Sequence, residues 1–95
     1  MDAPTIDEFD IVRWDGRWIA LGPIEARVAR PLLANMGDVV PRQQLEAAAW
    51  PEQAVRPNTT DRQVHRLRTH LAVLGLTLVT IRGHGYLLEA VANLT

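Results

Sequence analysis

Residues 56–88 carry five arginines, Arg56, Arg62, Arg66, Arg68 and Arg82, against one carboxylate, Asp61, whereas residues 1–55 carry five arginines against nine Asp and Glu. A formal net charge of −1 thus conceals a basic segment joined to an acidic one, with Glu89 supplying the remaining negative charge. Basic charge clustered in one part of a chain is the electrostatic footprint of a polyanion site. The residue types fit that chemistry. A guanidinium can bond guanine O6 and N7, or a phosphate, through two parallel N–H groups, while Thr and His offer single bonds. Arg62, His65, Arg66 and Thr69 recur at i, i+3, i+4 and i+7, so a helix would display them on one face, with Arg68 at its flank. Arg82 stands beside Gly83-His84-Gly85. Glycines around a hairpin tip let the backbone approach closely, and an arginine held there can enter a narrow, electronegative groove.

Other chemistries find little support. His65, His70 and His84 contain no i, i+4 pair, and the chain has no cysteine, so no metal site is expected. Asp7, Glu8 and Asp10 cluster without a partner base and read as a solvated acidic stretch. No nucleophile elbow or phosphate loop is present, so the chain is read as non-enzymatic, with no cofactor and no small-molecule substrate. No apolar run approaches the ~18 residues of a membrane span, and the acidic N-terminus lacks a signal-peptide profile. A cytoplasmic location without membrane contact is expected. All ten basic residues are Arg, which by itself says little.

The elements that would position these residues can be read locally. Ninety-five residues make one domain. Residues 1–8 read as an N-terminal tail, 9–89 as the domain and 90–95 as a C-terminal tail. Phe9 to Trp14 reads as a strand, and Asp15-Gly16 before Trp18 to Leu21 is a two-residue hairpin signal. Pro23 opens a helix with Glu25 in its first turn and Ile24, Val28, Leu32 and Leu33 on one face. Pro31 lies inside that pattern and predicts a kink or an end near Ala29. A second helix follows Pro41 and runs to about Trp50, with Val40 and Leu45 placed as a hydrophobic staple. The third starts at Asn58 or Thr59, with Asp61 in its first turn; Thr60, Val64, Leu67, Leu71 and Leu74 form its core stripe and Gly75 its stop. Leu76 to Ile81 and Tyr86 to Leu88 then form a second hairpin. Trp14, Trp18, Trp50 and Tyr86 are read as core or sheet-packing residues.

The order is α+β: an N-terminal antiparallel hairpin or sheet, three helices, and a C-terminal β-hairpin wing, which is a winged helix-turn-helix. Leu21-Gly22-Pro23-Ile24-Glu25-Ala26, Gly37 to Leu45, Ala49-Trp50, Val64 to Leu71 and Thr80 to Tyr86 together resemble the OmpR/PhoB-type DNA-binding domain of bacterial transcription regulators, over roughly Phe9 to Glu89. The resemblance implies double-stranded DNA as partner, the third helix in the major groove, the wing arginine in the minor groove, and pairing of two copies on DNA. By position, Arg66 and Arg68 match the family's helix arginines and Arg82 its wing arginine. The Trp50 to Pro57 loop, through Glu52, Gln53, Ala54 and Val55, matches the segment that faces RNA polymerase. The DNA-facing set is Arg56, Thr59, Arg62, His65, Arg66, Arg68, Thr69, Thr80, Arg82 and His84.

Departures accompany the likeness. Gly22 and Pro41 stand where the family places Ser or Thr caps, Gln63 where it places a histidine, and Arg62 at an apolar position. Base preference should therefore differ from that of relatives. No part of the chain reads as the receiver domain that most members carry, so an excised effector domain, the tail of a fusion or a stand-alone regulator is expected. The alternative function is a winged-helix protein-interaction module without DNA binding, which the acidic first half favours.

Overall fold

The computed structural model describes residues 3–90. Three antiparallel strands, β1 (Thr5–Ile6), β2 (Ile11–Trp14) and β3 (Arg17–Ala20), form the N-terminal sheet in the order β1-β2-β3. Trp14 pairs with Arg17 across the turn, and Asp15 and Gly16 both take positive φ, 52° and 77°, as a two-residue hairpin turn requires. The tail expected over residues 1–8 is in part structured: Thr5 and Ile6 pair with Arg13 and Val12. Asp7 is the cause. Its Oδ1 accepts the backbone N–H groups of Phe9 and Ile11, and its backbone carbonyl accepts that of Asp10. These bonds turn the chain back on itself, so β2 begins at Ile11 rather than at the expected Phe9, whose ring is left exposed. The Arg13 guanidinium at 2.5 Å, with the N–H groups of Ile11 and Phe9, holds the Asp7 carboxyl below the usual carboxylate range.

The helices are α1 (Pro23–Ala34), α2 (Arg42–Ala49) and α3 (Pro57–Ala72). Two expectations require correction. Pro31 does not end α1, which continues to Ala34 because Leu32 and Leu33 are buried in the core and hold the last turn in place. Nor does α3 start at a side-chain cap: its N-cap is Arg56 and its first residue Pro57, whose missing N–H and preset φ suit that position. Asp61 consequently lies beyond the first turn. None of the three helices has a side-chain N-cap, the preceding residues being Gly22, Pro41 and Arg56. The staple around Pro41 is as expected, with Val40 and Leu45 both buried.

The wing consists of β4 (Leu76–Ile81) and β5 (Gly85–Ala90), antiparallel, with Ile81 opposite Gly85. The expected tail at 90–95 lies outside the described residues except for Ala90, which is in β5. One core joins all layers: Val12 from the sheet, Val28 and Leu32 from α1, Leu45 from α2, Val64, Leu67 and Leu71 from α3, and Leu76, Leu78 and Leu88 from the wing. The whole stripe expected on α3 is in this core or, as Thr60, fully buried beside it. Val40, just before α2, exchanges two backbone hydrogen bonds with Tyr86, at 2.7 and 2.9 Å. Gly85 makes this approach possible. It has φ 145°, and a Cβ there would overlap the Val40 carbonyl oxygen and lie 2.8 Å from Pro41 Cα.

Candidate nucleic-acid interface

With Val64, Leu67 and Leu71 turned into the core, the helical period turns Arg62, His65, Arg66 and Thr69 outward, and all four are exposed. Among the described residues no carboxylate or hydrogen bond engages Arg62 or Arg66. Thr69 differs. Its hydroxyl donates to the His65 carbonyl at 3.2 Å, so it offers lone pairs more readily than a proton.

Arg68 sits at the flank and is half-buried. Its Nε donates to the Leu78 carbonyl and its Nη2 to Thr80 Oγ1, both at 2.8 Å, which joins α3 to β4. Strand alternation then places the wing tip. The β4 face that is core at Leu76 and Leu78 emerges from under α3 at Thr80, where Arg68 meets it, and two residues later comes Arg82. Arg82 and His84 are exposed, and Gly83, with φ 79°, takes the left-handed position of the turn that the His84 N–H closes onto the Ile81 carbonyl. A cleft of about 460 Å³ separates this tip from the start of α2, lined among others by Arg42, Gln43, Thr80, Arg82 and His84.

Sequence reasoning missed Arg42, Asp61 and Tyr86. Arg42 Nη2 donates to Asp61 Oδ1 at 2.5 Å and to the Tyr86 hydroxyl at 3.1 Å, while Nη1 donates to the Pro57 carbonyl at 3.2 Å. The Tyr86 hydroxyl in turn donates to Asp61 Oδ1 at 3.4 Å. Burial pushes the Tyr86 hydroxyl above its ordinary value against the pull of Arg42, with Asp61 adding to the rise. For Arg42, burial works downward, but Tyr86 and Asp61 outweigh it and raise the value. The one available signal was the isolation of Asp61 in a basic segment, an acidic group in want of a partner. Tyr86 is buried as expected, but its hydroxyl belongs to this network.

The arginines divide by use. Arg13, Arg17, Arg30 and Arg42 pair with Asp7, Asp15, Asp10 and Asp61, Arg27 donates to the Ala49 carbonyl, and Arg68 is held by β4. Among the described residues Arg56, Arg62, Arg66 and Arg82 have no such partner, and all four lie on α3, at its cap or on the wing. Two further carboxylates of the first half are engaged within the fold. Glu46 accepts from Thr60 Oγ1 at 2.8 Å, and buried Glu25 meets His70 Nδ1 at 2.6 Å.

Thr59 lies in the first turn of α3, half-buried, with its N–H on the Arg56 carbonyl. Glu52, Gln53 and Ala54 are exposed and Val55 is half-buried in the loop between α2 and α3. That loop borders a groove shared with Arg27, Ala49 and Trp50. Trp14 and Trp50 pack against the core as expected, but Trp18 is 65% exposed, because β3 directs it away from the helices. Among the described residues no group of three or more His, Cys, Asp or Glu could hold a metal ion, and no helix is long and apolar enough to cross a membrane.

The sequence profile described as transcriptional regulatory protein, C terminal, matches residues 16–88. The chain belongs to this OmpR/PhoB-type family of winged-helix DNA-binding domains. The family is one of transcription regulators and not of enzymes. No curated protein matches the chain by sequence. Among solved structures, the C-terminal domain of the lantibiotic response regulator NsrR is 24% identical, with a TM-score of 0.78 and 97% of each chain covered. The DNA-binding domain of the response regulator AdeR, solved in complex with an intercistronic region, is 23% identical with a TM-score of 0.75, covering 94% of this chain and 96% of that one. The DNA-binding domain of CpxR from E. coli is 24% identical with a TM-score of 0.73, covering 96% and 94%. At these identities the likeness is one of fold. It confirms the three helices, the N-terminal sheet and the C-terminal hairpin of the family's effector domains.

Proposed function

We propose that this domain binds duplex DNA sequence-specifically, with α3 in the major groove and Arg82 in the adjacent minor groove. The observation that carries the reading is the division of the arginines: those outside the reading surface have partners within the fold, and those without one among the described residues cluster on α3, its cap and the wing. A groove of B-DNA admits one helix, and an unpaired guanidinium on its outer face can bond a guanine without first breaking an ion pair. Arg62, His65 and Arg66 are assigned to base edges. Arg56, Arg68, Thr69, Thr59, Thr80 and His84 are assigned to the sugar-phosphate backbone, which sets register but carries no sequence information directly.

Pairing of Asp7, Asp10 and Asp15 with arginines within the fold weakens the argument for a module that does not bind DNA. The exposed Glu52 to Val55 segment is proposed to meet RNA polymerase, and two copies are proposed to pair on DNA. AdeR in its complex with an intercistronic region lends support by fold. Selection of bound duplexes from a random pool tests the reading. Recovery of a shared motif a few base pairs long is expected, and a bound fraction as diverse as the starting pool would contradict it.

A further inference from the structure

Asp61 is the one carboxylate on a helix assigned to a polyanion, and by charge alone it should weaken every duplex contact that Arg62 and Arg66 make. Its surroundings give it another role. A single guanidinium, that of Arg42, reaches the Pro57 carbonyl in the first turn of α3, the Asp61 carboxylate in the second, and the Tyr86 hydroxyl on the wing. The planar fork of arginine holds its acceptors in fixed directions, and the carboxylate bond is charge-assisted. Seven residues farther along α3, about 10 Å at the helical rise, Arg68 makes the second tie, to Leu78 and Thr80 of β4. Two ties at different heights fix both the separation and the angle between two bodies. Core packing already seats α3 on the wing, and the second tie narrows the angle it can take against the hairpin that carries Arg82.

We propose that Arg42, Asp61 and Tyr86 form a positioning unit that, with Arg68, sets α3 at a fixed angle to the wing, so that Asp61 increases discrimination between duplexes although it lowers affinity for DNA in general. The inference rests on the duplex-binding reading above and adds the residues that determine its specificity. Asp61 and Tyr86 need touch no base. They act through the geometry of Arg62, Arg66 and Arg82.

The test uses Asp61→Asn, which removes the charge at constant shape, and Tyr86→Phe, which removes one hydroxyl and keeps the buried ring. Fluorescence anisotropy is recorded for wild type and both variants on a duplex selected by the wild-type domain and on a scrambled duplex, with circular dichroism to establish that each is folded at the working temperature. Asp61→Asn is expected to bind the scrambled duplex as well as or better than wild type, yet to lose about tenfold in preference for the selected one, the scale of one displaced base contact. Tyr86→Phe is expected to lose preference in the same direction without the general gain in affinity. A purely electrostatic Asp61 would instead raise affinity for both duplexes equally. Unchanged preference in both folded variants overturns the positioning unit and leaves duplex binding standing. Wild-type binding that is absent or insensitive to salt overturns the underlying reading itself.

Discussion

Gly85→Ala is expected to destabilise the domain by about 3–5 kcal/mol, which at ~4–8 °C per kcal/mol for a chain of this size lowers the melting temperature by roughly 12–40 °C. Two costs combine. Gly85 has φ 145°, a conformation that L-residues rarely adopt and that costs of order 1–3 kcal/mol. The added methyl also meets backbone, the Val40 carbonyl and Pro41 Cα, which cannot rotate aside as a flexible side chain would. Relief requires parting Val40 from Tyr86 and giving up the two hydrogen bonds that anchor the start of α2 to the wing, each worth about 1 kcal/mol. Gly83→Ala is the control, since it has a positive φ of 79° but nothing within 4 Å of the new methyl. Only the conformational cost of about 1–2 kcal/mol applies there. Thermal melts of the two variants separate the effects, and equal losses at both positions would show that the close approach contributes nothing.

Arg66→Ala is expected to have the largest effect on recognition and almost none on the fold. The side chain is exposed and unpaired among the described residues, so stability should change by no more than about 0.5 kcal/mol. Preference for the selected duplex over a scrambled one should fall by about 10- to 100-fold, the worth of one bidentate base contact. Arg68→Ala should behave in the opposite way. Its guanidinium holds the Leu78 carbonyl and Thr80, so its loss should cost about 1–2 kcal/mol of stability and weaken binding to all duplexes more evenly. Binding isotherms on both duplexes, paired with melts, distinguish the two patterns. If Arg66→Ala weakened both duplexes equally, Arg66 would be a phosphate contact and the division of labour on α3 would be wrong.

What could be read from the sequence was local. Asp15-Gly16 announces its hairpin because two adjacent positive-φ residues leave the chain few other options, and the α3 stripe from Thr60 to Leu74 is visible because a helix repeats every 3.6 residues. The exposed face bearing Arg62 and Arg66 follows from that stripe by rotation alone, so the centre of the proposed interface was legible too. What escaped depends on competition or on distance. Pro31 removes a helical bond, and only the burial of Leu32 and Leu33 shows why α1 continues through it. The caps offered by Asn58 and Thr59 lose to Pro57, which suits the first helical position without a side-chain cap. Asp7 shapes its turn through one carboxylate oxygen and thereby brings Thr5 and Ile6 into the sheet. The Arg42–Asp61–Tyr86 network joins residues 19 and 25 positions apart, and no periodicity marks such a union. The same long-range pairing decided which arginines remain available to a duplex, which charge counting could not reveal.

The central claim is that the arginines of α3, its cap and the wing bring to duplex DNA the positive charge that displaces its counterions. It is tested most directly by the salt dependence of binding to random duplex, followed by anisotropy between about 50 and 200 mM salt. With about four to six phosphates neutralised, log affinity should fall against log salt with a slope of roughly −4 to −5, a loss of roughly 250- to 1,000-fold over that range. An affinity that stays flat across the same range would contradict the account.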